Sequence, residues 1–234
     1  MTTRSTIFVT LATFLCLSCT DGSEAKSPNE SQSSNTHIEA IIDISTINKE
    51  IASDDSPVGY WEVNTAIPSV IIAKAPLSAN KINLSLQALS ERFACDNGGD
   101  QTFLSEVLHN GSGSLSIKYE AMWLCASMPS PDSIAGIISY DLASGRELVL
   151  NTDGLKGKEA ELHEKVISAA TKQKDDIAPC DKFPKFNFAY PAGDTTAFTY
   201  LNPNHGDTSC DYSVSLNNQL LLAMLADGKI FVVD

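Results

Sequence analysis

From Ser114 to Leu124 the chain keeps a period of two, with Leu115, Ile117, Tyr119, Ala121 and Trp123 alternating with Ser116, Lys118, Glu120 and Met122. This period describes a β-strand with one face on a core and the other turned outward. The segments around it extend the pattern. Ile38–Ile44 reads as a first strand. Tyr60–Val63 and Ser69–Ala73 read as two strand segments separated by Pro68. Ile134–Tyr140 and Glu147–Leu150 read as strands joined through Asp141–Arg146. Phe186, Phe188 and Tyr190 alternate as another strand, and Phe198 and Tyr200 mark the next.

Two segments have helical spacing instead. After Pro76, with Ser78 as expected N-cap, Ile82, Leu86, Leu89 and Phe93 recur at helical intervals, and Cys95-Asp96-Asn97-Gly98-Gly99 ends the run. Asn151-Thr152-Asp153-Gly154 turns into a second helix with Leu162, Val166 and Ala169 or Ala170 on its buried face. In the tail, Asn217-Asn218 and Asp227-Gly228 are tight-turn pairs between apolar runs. An antiparallel meander ending in Ile230–Val233 is the expected reading, with a short helix over Gln219–Leu225 as the alternative. Strands punctuated by two helices indicate an α+β domain, an antiparallel sheet with two main helices.

The N-terminal stretch differs in kind. Arg4 precedes an apolar run from Ile7 to Leu17, which ends in Cys16-Leu17-Ser18-Cys19 and turns polar at Thr20-Asp21-Gly22. The run is shorter than the roughly 20 residues that span a bilayer. It resembles a bacterial lipoprotein signal in which Cys19 becomes the lipid anchor. An ordinary secretory signal cleaved after Ala25 is the alternative, since Cys16 stands where Leu is usual. Residues 1–18 are thus expected as signal, 19–37 as a polar tether too poor in apolar residues to bury a face, and 38–234 as the folded domain. The expected location is the cell envelope. In a Gram-negative cell Thr20 after the anchor permits the periplasmic face of the outer membrane; secreted or periplasmic protein is the alternative.

Export to an oxidising compartment gives the remaining cysteines a role. Cys95 and Cys125 are as far apart in sequence as Cys180 and Cys210, and this spacing favours disulfides Cys95–Cys125 and Cys180–Cys210 among the three pairings four cysteines allow. A zinc site lacks any Cys-x-x-Cys pair. The formal net charge is −13, one unit more negative once Arg4 is removed. It disfavours nucleic acid and favours a cationic protein partner.

Sequences that carry chemistry are sparse. Gly111-Ser112-Gly113-Ser114 lacks the frame of a serine-hydrolase elbow and reads as a flexible loop. His163-Glu164 has no second histidine at helical spacing, and His109 and His205 are isolated. Asp96–Asp100 with Glu106 fails the calcium-loop spacing. Asp54-Asp55 and Asp175-Asp176 lie in polar segments. Trp123 is expected in the core, whereas Trp61 is open to a sugar-stacking reading. No catalytic residue, metal ligand or cofactor is assigned, and the chain is expected not to be an enzyme.

Several segments together carry a resemblance. They are Ile67-Pro68, Asn80-Lys81-Ile82-Asn83, Ser116-Ile117-Lys118-Tyr119 and Ser139-Tyr140-Asp141-Leu142-Ala143-Ser144-Gly145-Arg146-Glu147-Leu148. Over roughly residues 58–216 the chain resembles the RsiV-like extracytoplasmic domain, found in lysozyme-sensing anti-sigma factors and in envelope lipoproteins. The resemblance implies an α+β binding module and a lysozyme-like cationic hydrolase as one class of partner. The loop Ser127, Met128, Pro129, Ser130, Pro131, Asp132 and Ser133 is the expected contact, although the Ala-His ending common in that family's loop is missing. A cell-wall hydrolase or accessory enzyme with an unrecognised site, and a structural envelope lipoprotein, are the alternative functions.

Overall fold

A long two-stranded ribbon opens the domain. Strands β1 (Ile41–Ala52) and β2 (Tyr60–Ile71) pair antiparallel in one unbroken register from Ile41↔Ile71 to Ala52↔Tyr60. The structure, a computed structural model, describes residues 38–173, 183–202 and 210–234. Pro68, expected to split β2, lies inside it opposite Ile44. Val70, two residues on, directs both backbone groups to the Asn83 side chain: its N–H donates to Oδ1 at 2.8 Å and its C=O accepts from Nδ2 at 2.9 Å. Residues two apart point their backbone groups to the same edge, so the missing N–H of Pro68 falls on the edge away from β1 and the ladder survives.

Helix α1 (Pro76–Glu91) follows. Pro76 starts it, a position where its absent N–H costs no intrahelical bond. The expected cap is corrected: Ala75 holds the N-cap without a side-chain bond, and Ser78 lies in the first turn, its Oγ donating to Ala143 O at 2.6 Å. Ile82, Leu86 and Leu89 face inward as their spacing requires. The chain then returns as β3 (Gly99–Gly111), which runs parallel to β2 over Val63–Thr65. It pairs antiparallel with β4 (Ser114–Cys125), which pairs in turn with β5 (Asp132–Asp141). The result is a five-stranded sheet in sequence order, antiparallel except at β2–β3.

Strand β3 is an element without a clear period of two in the sequence. The Gly111–Gly113 segment, expected as a flexible loop, is instead the tight turn joining it to β4. Ser112 and Gly113 both have positive φ, as a two-residue hairpin turn of the primed type requires. One face of the sheet carries Phe103, Leu115, Ile117, Ala121 and Tyr140 and packs against α1 with Val70 and Ile72. Phe93 continues the helix stripe beyond α1 and packs its ring on Trp123, centroids 5.1 Å apart.

The motif Asp141-Leu142-Ala143-Ser144-Gly145 is a turn that docks on the start of α1. Asp141 Oδ2 accepts from Ser144 N and Oγ, Gly145 N donates to Asp141 O, and Lys81 Nζ donates to Ser144 O. Beyond it, β6 (Leu148–Leu150) leads to a short helix α2 (Thr152–Leu155), capped by Asn151 Oδ1 on Gly154 N. The second main helix is a separate element, α3 (Glu159–Gln173), because Lys156 at φ 44° breaks the helical path between them.

A three-stranded sheet follows, with β8 (Thr195–Tyr200) between β7 (Phe188–Ala192) and β9 (Tyr212–Asn217). Phe186 lies outside β7 and packs edge-on against Phe198, at 4.8 Å. Phe198, Val214 and Leu216 share a core with Leu162, Val166 and Ala170 of α3. The tail is not a meander. Asn217 Oδ1 accepts from Gln219 N and starts helix α4 (Asn218–Leu222), and β10 (Phe231–Val233) pairs with β6, not with β9. The side chain at Asn217 thus serves as a helix cap where a hairpin turn was expected.

Candidate binding face

The second face of the five-stranded sheet follows from the same alternation that built its core. Thr102, Leu104 and Glu106 of β3 and Lys118, Glu120 and Met122 of β4 point away from α1, in the pairs Thr102↔Met122, Leu104↔Glu120 and Glu106↔Lys118. The three-stranded sheet covers only part of this face. Ser116 Oγ, at the covered end, is 3.5 Å from Pro191 O. Toward the other end Leu104 and Met122 are 47% and 52% exposed.

Where the two sheets part, a groove of about 400 Å³ opens between Glu106, Lys118 and Ile137 on one side and Tyr190, Tyr200 and Tyr212 on the other. The rings of Tyr200 and Tyr212 stack at 6.2 Å. Tyr212 Oη donates to Pro184 O at 3.0 Å, and burial, with Tyr200 beside it, pushes its phenol up to about 12. It therefore stays neutral across physiological pH and acts as a fixed donor. Asp211 Oδ1 accepts from Asn202 N at 2.7 Å, and Lys118 Nζ pairs with Glu120. A shallow strip over Leu104, Glu106, Lys118 and Glu120 continues from the groove. It runs toward a cleft formed by Asp100, Thr102, Met122, Leu124 and Pro131. Four carboxylates, Asp100, Glu106, Glu120 and Asp211, and one lysine, Lys118, thus line the groove, the strip and the cleft.

The predicted contact loop adjoins this face. Ser127, Met128, Pro129, Ser130 and Pro131 form the turn between β4 and β5, and Pro131 lines the cleft. Asp132 and Ser133, expected in the loop, are the first residues of β5, with Asp132 opposite Trp123. Cys95 and Cys125 form a disulfide at the root of the loop, and Met128 N donates to Cys125 O at 2.8 Å. Cys210 is disulfide-bonded, whereas Cys180 and Cys19 lie outside the described residues.

The other residues singled out by sequence are dispersed. Trp61 is buried, 6% exposed, and its indole abuts Gly98, so the sugar-stacking reading fails. Asp100 Oδ1 accepts from Glu62 N at 2.9 Å and ties β2 to β3. His109 Nε2 is 3.0 Å from Gly111 O, at the hairpin turn. His163 lies on α3, and His205 and Asp175-Asp176 are outside the described residues. Burial, with Asp234 nearby, raises the Glu147 carboxyl, which Arg92 partly opposes; this group does not line the groove. Among the described residues no three His, Cys, Asp or Glu side chains are grouped to hold a metal ion, and no helix is long and apolar enough to cross a membrane.

Sequence reasoning missed the exposed pair Leu104 and Met122. The signal was present in Met122, an apolar residue in the outward register of the clearest strand. Leu104 could not be placed because β3 itself was not recognised.

No protein-family model matches the sequence, and no curated protein matches it. Among solved structures the chain is similar to a member of the DUF3298 family from Bacteroides fragilis, with a TM-score of 0.50 and 9% identity, covering 80% of this chain and 94% of that one. A DUF3298 family protein from Pseudomonas aeruginosa PAO1 aligns with a TM-score of 0.47 and 14% identity, over 80% of this chain and 95% of that one. The first likeness extends to the arrangement of the elements, and the α+β fold is shared with a bacterial DUF3298 protein.

Proposed function

We propose that the chain is a cell-envelope lipoprotein whose α+β domain binds a cationic protein across the uncovered part of the five-stranded sheet. One observation carries the reading. Leu104 and Met122 stand exposed among Asp100, Glu106 and Glu120, beside a proline loop rooted in a disulfide. Apolar side chains on a sheet face supply area to a partner, and surrounding carboxylates favour a basic one. Pro129 and Pro131 restrict the loop, so holding it in a complex costs less entropy than holding a glycine-rich loop. The RsiV-like resemblance suggests a lysozyme-like hydrolase as the partner class.

The test titrates the full-length protein, disulfides intact, with a lysozyme at low and moderate salt. The expected result is binding at low salt that weakens as salt rises. Leu104→Ala with Met122→Ala should lower affinity about tenfold, the effect of truncating central apolar contacts. No binding at low salt would remove lysozyme as the partner, and full affinity in the double variant would remove this face. The anchor is tested separately: the wild type should partition with membranes and take up a fatty-acid label, and Cys19→Ser should do neither. A soluble wild-type protein beginning near Lys26 is the contrary outcome.

A further inference from the structure

Strand β1 is a sheet edge that carries three charged residues, Asp43, Lys49 and Glu50, but neither a proline nor a bulge. Its twelve residues pair with β2 on one side, and among the described residues no strand lies on the other. All but Ile42 are exposed, including Ile41 at 67% and Ile47 at 57%. Edge strands of monomers are commonly interrupted by proline, a bulge or inward charge. This ladder has no irregularity, and no proline stands in β1.

The direction of the free backbone groups follows from β2. Val70 and Pro68 turn theirs away from β1, so Ile42 and Ile44 opposite them turn theirs outward, and the even positions through Glu50 do the same. The open edge has a definite start, because Asn110 Oδ1 and Nδ2 already bond the N–H and C=O of Ala40.

The geometry points to a second copy of this chain as the occupant, with β1 pairing antiparallel to β1 of the other copy about a two-fold axis at Thr46. In that register the outward-facing groups of Ile42, Ile44, Thr46, Asn48 and Glu50 meet their counterparts. The closely spaced pairs between them become Asp43 with Lys49, Ile41 with Ile51 and Ser45 with Ile47, each occurring twice by symmetry. Centring the axis on Ser45 or Ile47 leaves Asp43 opposite an isoleucine. The Asp43–Lys49 and Ile41–Ile51 pairs favour this register, which also sets Ile42 opposite Glu50 and Ile44 opposite Asn48, and the two opposite-charge pairs make the edge self-complementary. This pairing uses a different surface from the partner face above and does not depend on it.

The test is crosslinking of the full-length protein in cells that express it. Thr46→Cys places two thiols across the axis within disulfide reach and should give a covalent dimer on oxidation. A Ser130→Cys protein should give none. Adding Lys49→Glu to Thr46→Cys sets like charges opposite one another at two places and should reduce the dimer about tenfold, and Asp43→Lys added to that protein should restore it. A Thr46→Cys protein that crosslinks no more than Ser130→Cys overturns the proposal, as would result from residues 1–37 or another protein covering the edge. Crosslinking indifferent to Lys49→Glu overturns the register.

Discussion

Removing the Cys95–Cys125 disulfide should cost the domain about 3–4 kcal/mol, a large part of the roughly 5–15 kcal/mol that holds a domain together. The two cysteines are 30 residues apart, and in the chain-entropy model a closed loop of this length removes that much freedom from the unfolded chain. The bond also fixes local structure. It joins the turn after α1 to the end of β4, where Gly99 pairs with Cys125 and the amide of Ala126 donates to Gly98 O. Urea unfolding of Cys95→Ala/Cys125→Ala should show the lower stability. Hydrogen exchange should show Ala126 and Met128 losing protection before the β4 centre does. A loss under about 1 kcal/mol would mean that the β3–β4 ladder already confines this corner. If the proposed binding face is right, the same variant should also bind a lysozyme more weakly, because Pro131 forms one wall of the cleft.

The spacing that suggested this bridge was visible in the sequence, as were β4, β5, α1 and α3, whose buried stripes are nearly pure apolar series. Strand β3 was hidden because its inward face mixes Phe103 and Val107 with Gln101 and Ser105. Those two are tolerated inside by position: Gln101 is buried opposite Trp123, and Ser105 Oγ donates to Ala66 O. The alternation also slips between Val107 and His109, where the ladder is irregular. The full length of β1 was illegible for the opposite reason, since a ribbon exposed on both faces leaves no period of two. The tail misled because Asn217 suits a turn and a helix cap equally, and only Leu221, Met224 and Leu225 packing against α3 decide between them. The candidate face was half legible. Its loop was named from two prolines, but its exposed apolar pair needed the pairing of β3 with β4.

Gly145→Ala should destabilise the domain by about 3–4 kcal/mol. Two costs combine there. Gly145 has φ +70°, where a side chain costs roughly 1–2 kcal/mol. A Cβ at this position would also lie 2.5 Å from Ser78 O and 2.8 Å from Ser78 Cα, backbone atoms of α1 that cannot swing aside. Forcing such a contact typically adds about 1–3 kcal/mol. Relief by moving the helix would break the bond from Ser78 Oγ to Ala143 O and shift Ile82 in the core. Gly193→Ala is the internal control. Its φ is +71°, nearly the same, but nothing lies within 4 Å of the added Cβ, so only the conformational cost of roughly 1–2 kcal/mol should appear. Thermal or urea unfolding of the two proteins measures the difference. Equal losses would show that the turn merely reverses the chain. A larger loss at Gly145 would show why Asp-Leu-x-x-Gly stands at this point: the turn is the seat on which α1 rests, and the glycine is required by the helix beneath it more than by the turn.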